Sequence, residues 1–231
     1  MSNIHKIVLR AIPIISSLIL SSHYIYPATE KKLDQKIINI TPQMSNQLTQ
    51  ILENAKPYQS FHFQRGDYLI KKGLTIHHKS FLKLEAEKDV FIILDNMQDA
   101  VLWILNSDNI DISGFHIRHR MPVSKKEVCV GSVVFIHASH DIILNHLELN
   151  GSGTEGVFLY NSMSVMIKNS WIHNNTKTGI FFNKFVDHIF IENNTFENNP
   201  LNISGNLYEK NEWKKYVHLK NNKFDKNPVD Q

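Results

Sequence analysis

Short apolar triplets recur along the chain at nearly constant distances, separated by polar residues and further apolar stretches. The five triplets are Ile110–Ile112, Ile142–Leu144, Val165–Ile167, Ile189–Ile191 and Val217–Leu219. Their starting positions are 32, 23, 24 and 28 residues apart. Such a period indicates one supersecondary unit per repeat, stacked on its neighbours to bury a shared core. The pattern therefore predicts a solenoid.

Each repeat holds three apolar stretches, because one further stretch precedes every triplet and another follows it. Three short strands in about two dozen residues predict a three-sided coil that rises by about 4.7–4.9 Å, the spacing of paired strands. Alternate residues of a strand point inward. The residues predicted to stack inside the first strands are Trp103, Phe135, Leu159, Phe182 and Ile203.

The same alternation predicts an apolar row on the outside of the first strands. Its members are Leu102, Val134, Phe158 and Phe181. A stacked apolar row is unusual on a free surface, and three interpretations are open: a sugar-stacking platform, a partner interface, or a face covered by the segment 204–216. With a register shifted by one residue, this row would disappear and the inward residues would change instead.

Asparagines recur at the corner between the second and third strands. They are Asn145, Asn169, Asn193 and Asn221. Asparagine tolerates a left-handed backbone and hydrogen-bonds its own main chain, and stacked amides can also bond from coil to coil. We interpret these residues as structural rather than as ligands.

Two sequence segments are similar to those of a known fold family: NIDISGFHI at Asn109–Ile117 and RGDYLI at Arg65–Ile70. They resemble the right-handed parallel β-helix, or pectate-lyase-like, superfamily of the generic repeat type, over roughly residues 58–227. The resemblance implies an all-β solenoid of about 6–7 coils with three strands per coil. It matches no specific enzyme family, and a fold does not define a reaction.

The N-terminal part divides into two predicted segments ahead of a β-helix domain at 58–231. Residues 41–57 predict a capping helix, with Thr41 as N-cap and Pro42 at its first position. Residues 1–28 have a charged start and an apolar stretch typical of an export signal, too short for a comfortable membrane span. We expect a periplasmic or secreted protein, with an uncleaved anchor in residues 1–25 as the alternative.

Charge and composition narrow the classes of partner and cofactor. The formal charge of +3 and a pI near 8.8 are mildly basic, unlike the basic stripe of a nucleic-acid binder. Cys129 is the single cysteine and cannot form an internal disulfide. The thirteen histidines lack zinc-motif spacing, and no acidic cluster suits calcium. We therefore expect no metal and no cofactor, while the pattern leaves the oligomeric state open.

The longest insertion between regular strands is basic. It follows Ile117 and contains the candidate catalytic residues Arg118, His119 and Arg120 and the candidate substrate-binding residues Lys125 and Lys126. Loops on rigid scaffolds often carry function, and arginine binds carboxylates well. A lyase or epimerase acting on uronic acids must neutralise a carboxylate and remove the neighbouring proton, which a cation and a base could do. A solvated basic loop is the alternative.

A second candidate group lies at the start of two successive coils. Glu155 and Lys177 are predicted neighbours on one face, with His137 and Tyr160 nearby, all as substrate-binding residues. The string before Val157 resembles an element of polygalacturonase-type glycosidases, but Lys177-Thr178 stands where those enzymes carry paired aspartates. Glycoside hydrolysis needs two carboxylates, so that hydrolase mechanism is rejected.

These observations leave three hypotheses for function. The first is an exported β-helix protein that binds a polysaccharide or cell-envelope glycan, of anionic type, along the face of the first strands. The second is a polysaccharide lyase or epimerase that acts on uronic-acid polymers through the basic segment 118–126. The third is a periplasmic accessory β-helix protein, which the scattered histidines allow but no ligand set supports.

Overall fold

The computed structural model describes residues 36–120, 131–206 and 212–225, and within them the chain forms a parallel β-solenoid of about seven coils. The strands are β1 (Ile37–Ile40), β2 (Ser60–Phe63), β3 (Gly66–Ile70), β4 (Leu74–His77), β5 (Ser80–Leu94), β6 (Leu102–Leu105), β7 (Asp108–His119), β8 (Val134–His137), β9 (His140–Asn145), β10 (Glu148–Asn150), β11 (Glu155–Lys168), β12 (Trp171–His173), β13 (Thr178–Glu192), β14 (Thr195–Glu197), β15 (Leu201–Asn206), β16 (Val217–Lys220) and β17 (Lys223–Phe224).

Every strand pairs in parallel with the strand one coil away, which divides the solenoid into three long sheets. The first sheet contains β4, β6, β8, the start of β11, the start of β13 and β15. The second runs through β1, β2, β5, β7, β9, β11, β13 and β16. The third runs through β3, β5, β7, β10, β12, β14 and β17. The predicted all-β fold with three strands per coil is confirmed.

A short helical segment near the N-terminus packs on the first coils. A 3₁₀ turn at Pro42–Gln47 leads into the α-helix α1 (Leu48–Glu53), which buries Leu48 and Leu52 in the core. Thr41 stands at the N-cap with an extended backbone, although its side chain makes no capping hydrogen bond. The ladder begins earlier than predicted, because β1 precedes this segment and pairs with β2. The predicted segment 1–28 lies outside the described residues.

The predicted assignment of inward and outward residues in the first sheet is right in the later coils and wrong in two earlier ones. Leu159, Phe182 and Ile203 are buried, as predicted. Trp103 and Phe135 are only partly buried and point outward, whereas Leu102 and Val134 lie in the core. The reason is that Val101 and Val133, at the preceding corner, are also buried. These extra core valines made each apolar stretch seem to begin one residue early.

Hydrogen-bonded ladders hold the corners of the coils in register. Asn169, Asn193 and Asn221 have positive φ values of 53°, 56° and 55°, as a left-handed corner requires. The Asn169 amide also donates to Asn145 Oδ1 at 2.9 Å. The buried ladder is formed one residue further along the chain. Asn194 Oδ1 accepts the Ser170 N–H, and Asn194 Nδ2 donates to the Ile167 carbonyl.

Candidate functional site

The outward face of the first sheet carries a row of aromatic rings. The row consists of Trp103, Phe135, Phe158 and Phe181, which are in register on four successive coils. Successive ring centroids are 4.8, 4.9 and 5.3 Å apart. All four side chains are partly exposed. The predicted outward row therefore exists, with Trp103 and Phe135 in place of Leu102 and Val134.

Two further predicted site residues form a second row on the same face. His137 and Tyr160 are in register on adjacent coils, with ring centroids 5.1 Å apart. Each ring lies 6.4 Å from a ring of the aromatic row, His137 from Phe135 and Tyr160 from Phe158. The first sheet thus offers polar hydrogen-bonding groups beside apolar rings, a combination typical of ligand sites.

Glu155 and Lys177 meet at the edge of the aromatic row, where the first sheet begins. Lys177 Nζ lies 3.2 Å from Glu155 Oε1, and the Ser132 hydroxyl donates to Oε2 at 3.1 Å. Glu155 is only 4% exposed, while the Lys177 side chain is 56% exposed. Lys177 Nζ is also 5.8 Å from the centroid of the Phe181 ring. The predicted proximity of the two residues is confirmed, with the carboxylate buried and the ammonium open to solvent.

The three candidate catalytic residues of the basic insertion do not converge on one site. Arg118 is partly exposed on the outer face of the third sheet. His119 points inward and is fully buried, and its Nε2 lies 2.9 Å from the Asp99 carbonyl oxygen. Arg120 is exposed, and its Nη1 is 3.0 Å from Asp95 Oδ2. Lys125 and Lys126 lie outside the described residues. The catalytic role of this segment stays a prediction, and the burial of His119 weighs against its action as a base.

The third sheet holds a cluster that the sequence patterns did not reveal. The Glu148 carboxylate contacts both the His116 ring and the His173 ring, the latter at 3.0 Å. The hydrogen bond from His173 is the main cause that lowers the pKa of Glu148 to about 2, and His116 adds to it against the opposing effect of burial. The three residues are 32 and 25 positions apart, so only the strand register brings them together.

The outer face of the second sheet forms a shallow groove of about 420 Å³. Ile143, Met166 and Phe190 give it an apolar floor, and Asp111 stands at one end. Burial raises the pKa of the Asp111 carboxyl.

Across the described ranges, no group of three or more His, Cys, Asp or Glu side chains is arranged to hold a metal ion. The helices in that part of the chain are too short or too polar to cross a membrane.

The parallel coils, the three sheets and the corner ladders define the class of right-handed parallel β-helices. The chain belongs to the right-handed β-helix region family, whose model matches residues 91–224. No curated protein matches the chain in sequence.

Solved structures share this fold at low sequence identity. An alginate lyase from Paenibacillus is 16% identical with a TM-score of 0.62, covering 82% of this chain and 66% of its own. A Parabacteroides merdae protein, provisionally described as a glycosyl hydrolase, is 12% identical with a TM-score of 0.60, covering 80% and 97%. The N-terminal fragment of bacteriophage phi29 gene product 12 is 14% identical with a TM-score of 0.57, covering 80% and 36%. At such identities the likeness concerns the fold alone.

Proposed function

We propose that this protein binds a polysaccharide along the aromatic row of the first sheet. The observation that carries the proposal is the unbroken strip of partly exposed rings from Trp103 to Phe181. The apolar faces of sugar rings pack against aromatic side chains, which bury much area at low entropic cost. Polar His137 and Tyr160 beside the strip suit the hydroxyl groups of such a ligand.

An anionic polysaccharide is the form of ligand that we propose. The exposed ammonium of Lys177 stands at the edge of the row, and the chain has a formal charge of +3. Similarity in fold to an alginate lyase is compatible with a ligand of this class. We further propose that the protein is exported by residues 1–28, which mass spectrometry of the mature N-terminus would test.

The test is a glycan array that includes uronate polymers, followed by affinity measurements on the strongest ligand. Phe158→Ala should weaken binding about tenfold, which corresponds to about 1.4 kcal/mol. Phe190→Ala is the matched control, because Phe190 is a partly exposed phenylalanine on the second sheet of the next coil. Equal affinities for wild type and Phe158→Ala, with thermal stability retained, would exclude the aromatic row as the binding surface.

A polysaccharide lyase or epimerase is the second candidate function. The observation that favours it is Arg118, a partly exposed residue whose Nε is buried without a hydrogen-bond partner and which has no carboxylate within 4 Å in the part of the chain that the structure describes. Such a cation is available for a uronate carboxylate. A lyase leaves an unsaturated sugar end that absorbs in the ultraviolet. The absence of this absorbance across a panel of uronate polymers would exclude the lyase.

A further inference from the structure

The cluster on the third sheet brings an oriented imidazole beside Arg118, a cation that has no ion-pair partner among the described residues. His116 and Glu148 are register partners on adjacent coils, and Arg118 and Asn150 are register partners two residues further along the same strands. Residues two apart on a strand share a face and are about 6.6 Å apart. His116 and Arg118 therefore lie on the same outer face of the third sheet.

The hydrogen bonds of Glu148 define the protonation of this cluster. Its carboxylate can only accept, because its pKa of about 2 keeps it ionised at neutral pH. Asn150 Nδ2 donates to Oε1 at 3.0 Å, and His173 Nε2 donates to the same oxygen at 3.0 Å. His116 donates to Oε2 through Nδ1. In neutral His116 the proton is thus on Nδ1, which leaves a lone pair on Nε2.

The His116 ring is held on one side and open on another. It stacks on Phe91, with centroids 4.4 Å apart and an angle of 19° between the ring planes. Its side chain is 30% exposed. A carboxylate that fixes the tautomer and orientation of an imidazole is the arrangement that prepares a histidine to accept a proton. Glu148 has that geometry toward His116.

The geometry points to a catalytic site on the third sheet, in which Arg118 binds the carboxylate of an acidic sugar and His116 Nε2 accepts the proton from the neighbouring carbon. This inference rests on the second candidate function and assigns its base to His116 rather than His119. The spacing of about 6.6 Å between the two strand positions leaves room for a carboxylate and the carbon attached to it.

The step is an elimination. The proton moves from the carbon beside the carboxylate to His116 Nε2, and the electrons of that C–H bond form a carbon–carbon double bond. The bond from the next carbon to the leaving glycosidic oxygen breaks, and the oxygen keeps the electron pair. That oxygen takes a proton from water or from the imidazolium, so the products are a shortened polymer and an unsaturated sugar end. Glu148 is a positioning residue for His116.

The test follows the ultraviolet absorbance of unsaturated ends on polymannuronate, polyguluronate and polygalacturonate. His116→Gln should lower kcat at least 100-fold, since general-base catalysis supplies about 10²–10⁴-fold. His218→Gln is the matched control, because His218 stacks on Phe190 with a 5.0 Å centroid distance and an 18° angle, on the second sheet. It should keep the wild-type rate.

Two further variants separate positioning from binding. Glu148→Gln should lower kcat about 10–100-fold with little change in KM, and Glu148→Asp should recover part of the loss. Arg118→Gln should raise KM. The inference is overturned if the wild type forms no unsaturated ends from any of the three polymers, or if His116→Gln turns over as fast as wild type. Neither result affects the binding proposal, which is decided by Phe158→Ala.

Discussion

The outer faces of the first and third sheets are built on the same coils and differ in their main chemistry. The first sheet carries four aromatic rings in mutual contact, from Trp103 to Phe181. The third carries charges and hydrogen bonds, with Glu148 between two imidazoles and Trp171 donating to Glu197. Their inward rows are mostly buried aliphatic and phenylalanine side chains, with Tyr68 and His119 as polar members in the third sheet. A solenoid therefore fixes only inward positions, and each outer face can acquire its own chemistry.

Inward and outward positions of one strand should differ most in their contribution to the free energy of unfolding. Phe182 is buried in the core and Phe181 lies in the aromatic row. Phe182→Ala should lower the free energy of unfolding by about 3–5 kcal/mol, because it removes a fully buried ring and leaves a cavity. Phe181→Ala should cost less than about 1 kcal/mol. Urea denaturation of both variants checks this, and similar losses would contradict the assigned register.

The outer face of the third sheet should differ from that of the first sheet in how its contribution to stability responds to acid. The pKa of Glu148 is lowered in the folded state from 4.5 to about 2. Its contribution to stability is therefore present above about pH 4.5 and is lost as the pH falls toward 2. Glu148→Gln should remove this part of the acid dependence.

The measurement for Glu148 is urea unfolding of wild type and Glu148→Gln at several pH values between 2 and 7. The difference in unfolding free energy should shrink as the pH falls. Glu192→Gln is the control, a carboxylate on the outer face of the second sheet. A difference between wild type and Glu148→Gln that stays constant with pH would show that the histidine contacts do not stabilise the carboxylate.

The corner hydrogen bonds should stabilise the strands under both outer faces, because they keep the coils in register. Asn194→Ala leaves the Ser170 N–H and the Ile167 carbonyl without their side-chain partner and should cost about 1–3 kcal/mol. Asn193→Gly is the matched control at the adjacent, exposed position, because glycine tolerates its positive φ. Thermal unfolding compares the two, and a larger loss for Asn193→Gly would reverse the assignment of the ladder.

The smallest expected effect concerns charge at the edge of the aromatic row. Lys177→Gln removes the half-exposed ammonium that contacts the buried Glu155. Binding of an anionic polymer should weaken several-fold, and binding of a neutral polymer should not change. Lys168→Gln, on the outer face of the second sheet, is the control. Equal effects on both polymers would argue against recognition of charge at Lys177.

The sequence predicted the fold because core periodicity repeats in every coil, whatever the outer faces carry. It misplaced Trp103 and Phe135, since the buried corner residues Val101 and Val133 hide where each strand begins. Adjacent strand residues point to opposite faces, which is why Arg118 and His119 are not in one site.

Sites that cross coils were the hardest to predict. Glu155 and Lys177 could be predicted because they open successive coils within one residue of equivalent positions, Thr178 being the register partner of Glu155. His116 and Glu148 are separated by the long insertion, whose length hides the pairing until the strands are aligned. Contacts between coils depend on register, and a single sequence specifies register less clearly than it specifies periodicity.

The aromatic row has a regular spacing that relates the length of a bound chain to the number of rings it contacts. Its rings advance by 4.8–5.3 Å per coil on a scaffold whose spacing is set by backbone hydrogen bonds. A chain lying along the row would gain one ring contact per coil, and each added sugar would bind as part of an already tethered ligand. Affinity should then rise with oligosaccharide length and level off once all four rings are covered, giving selectivity for chain length without an enclosing cleft.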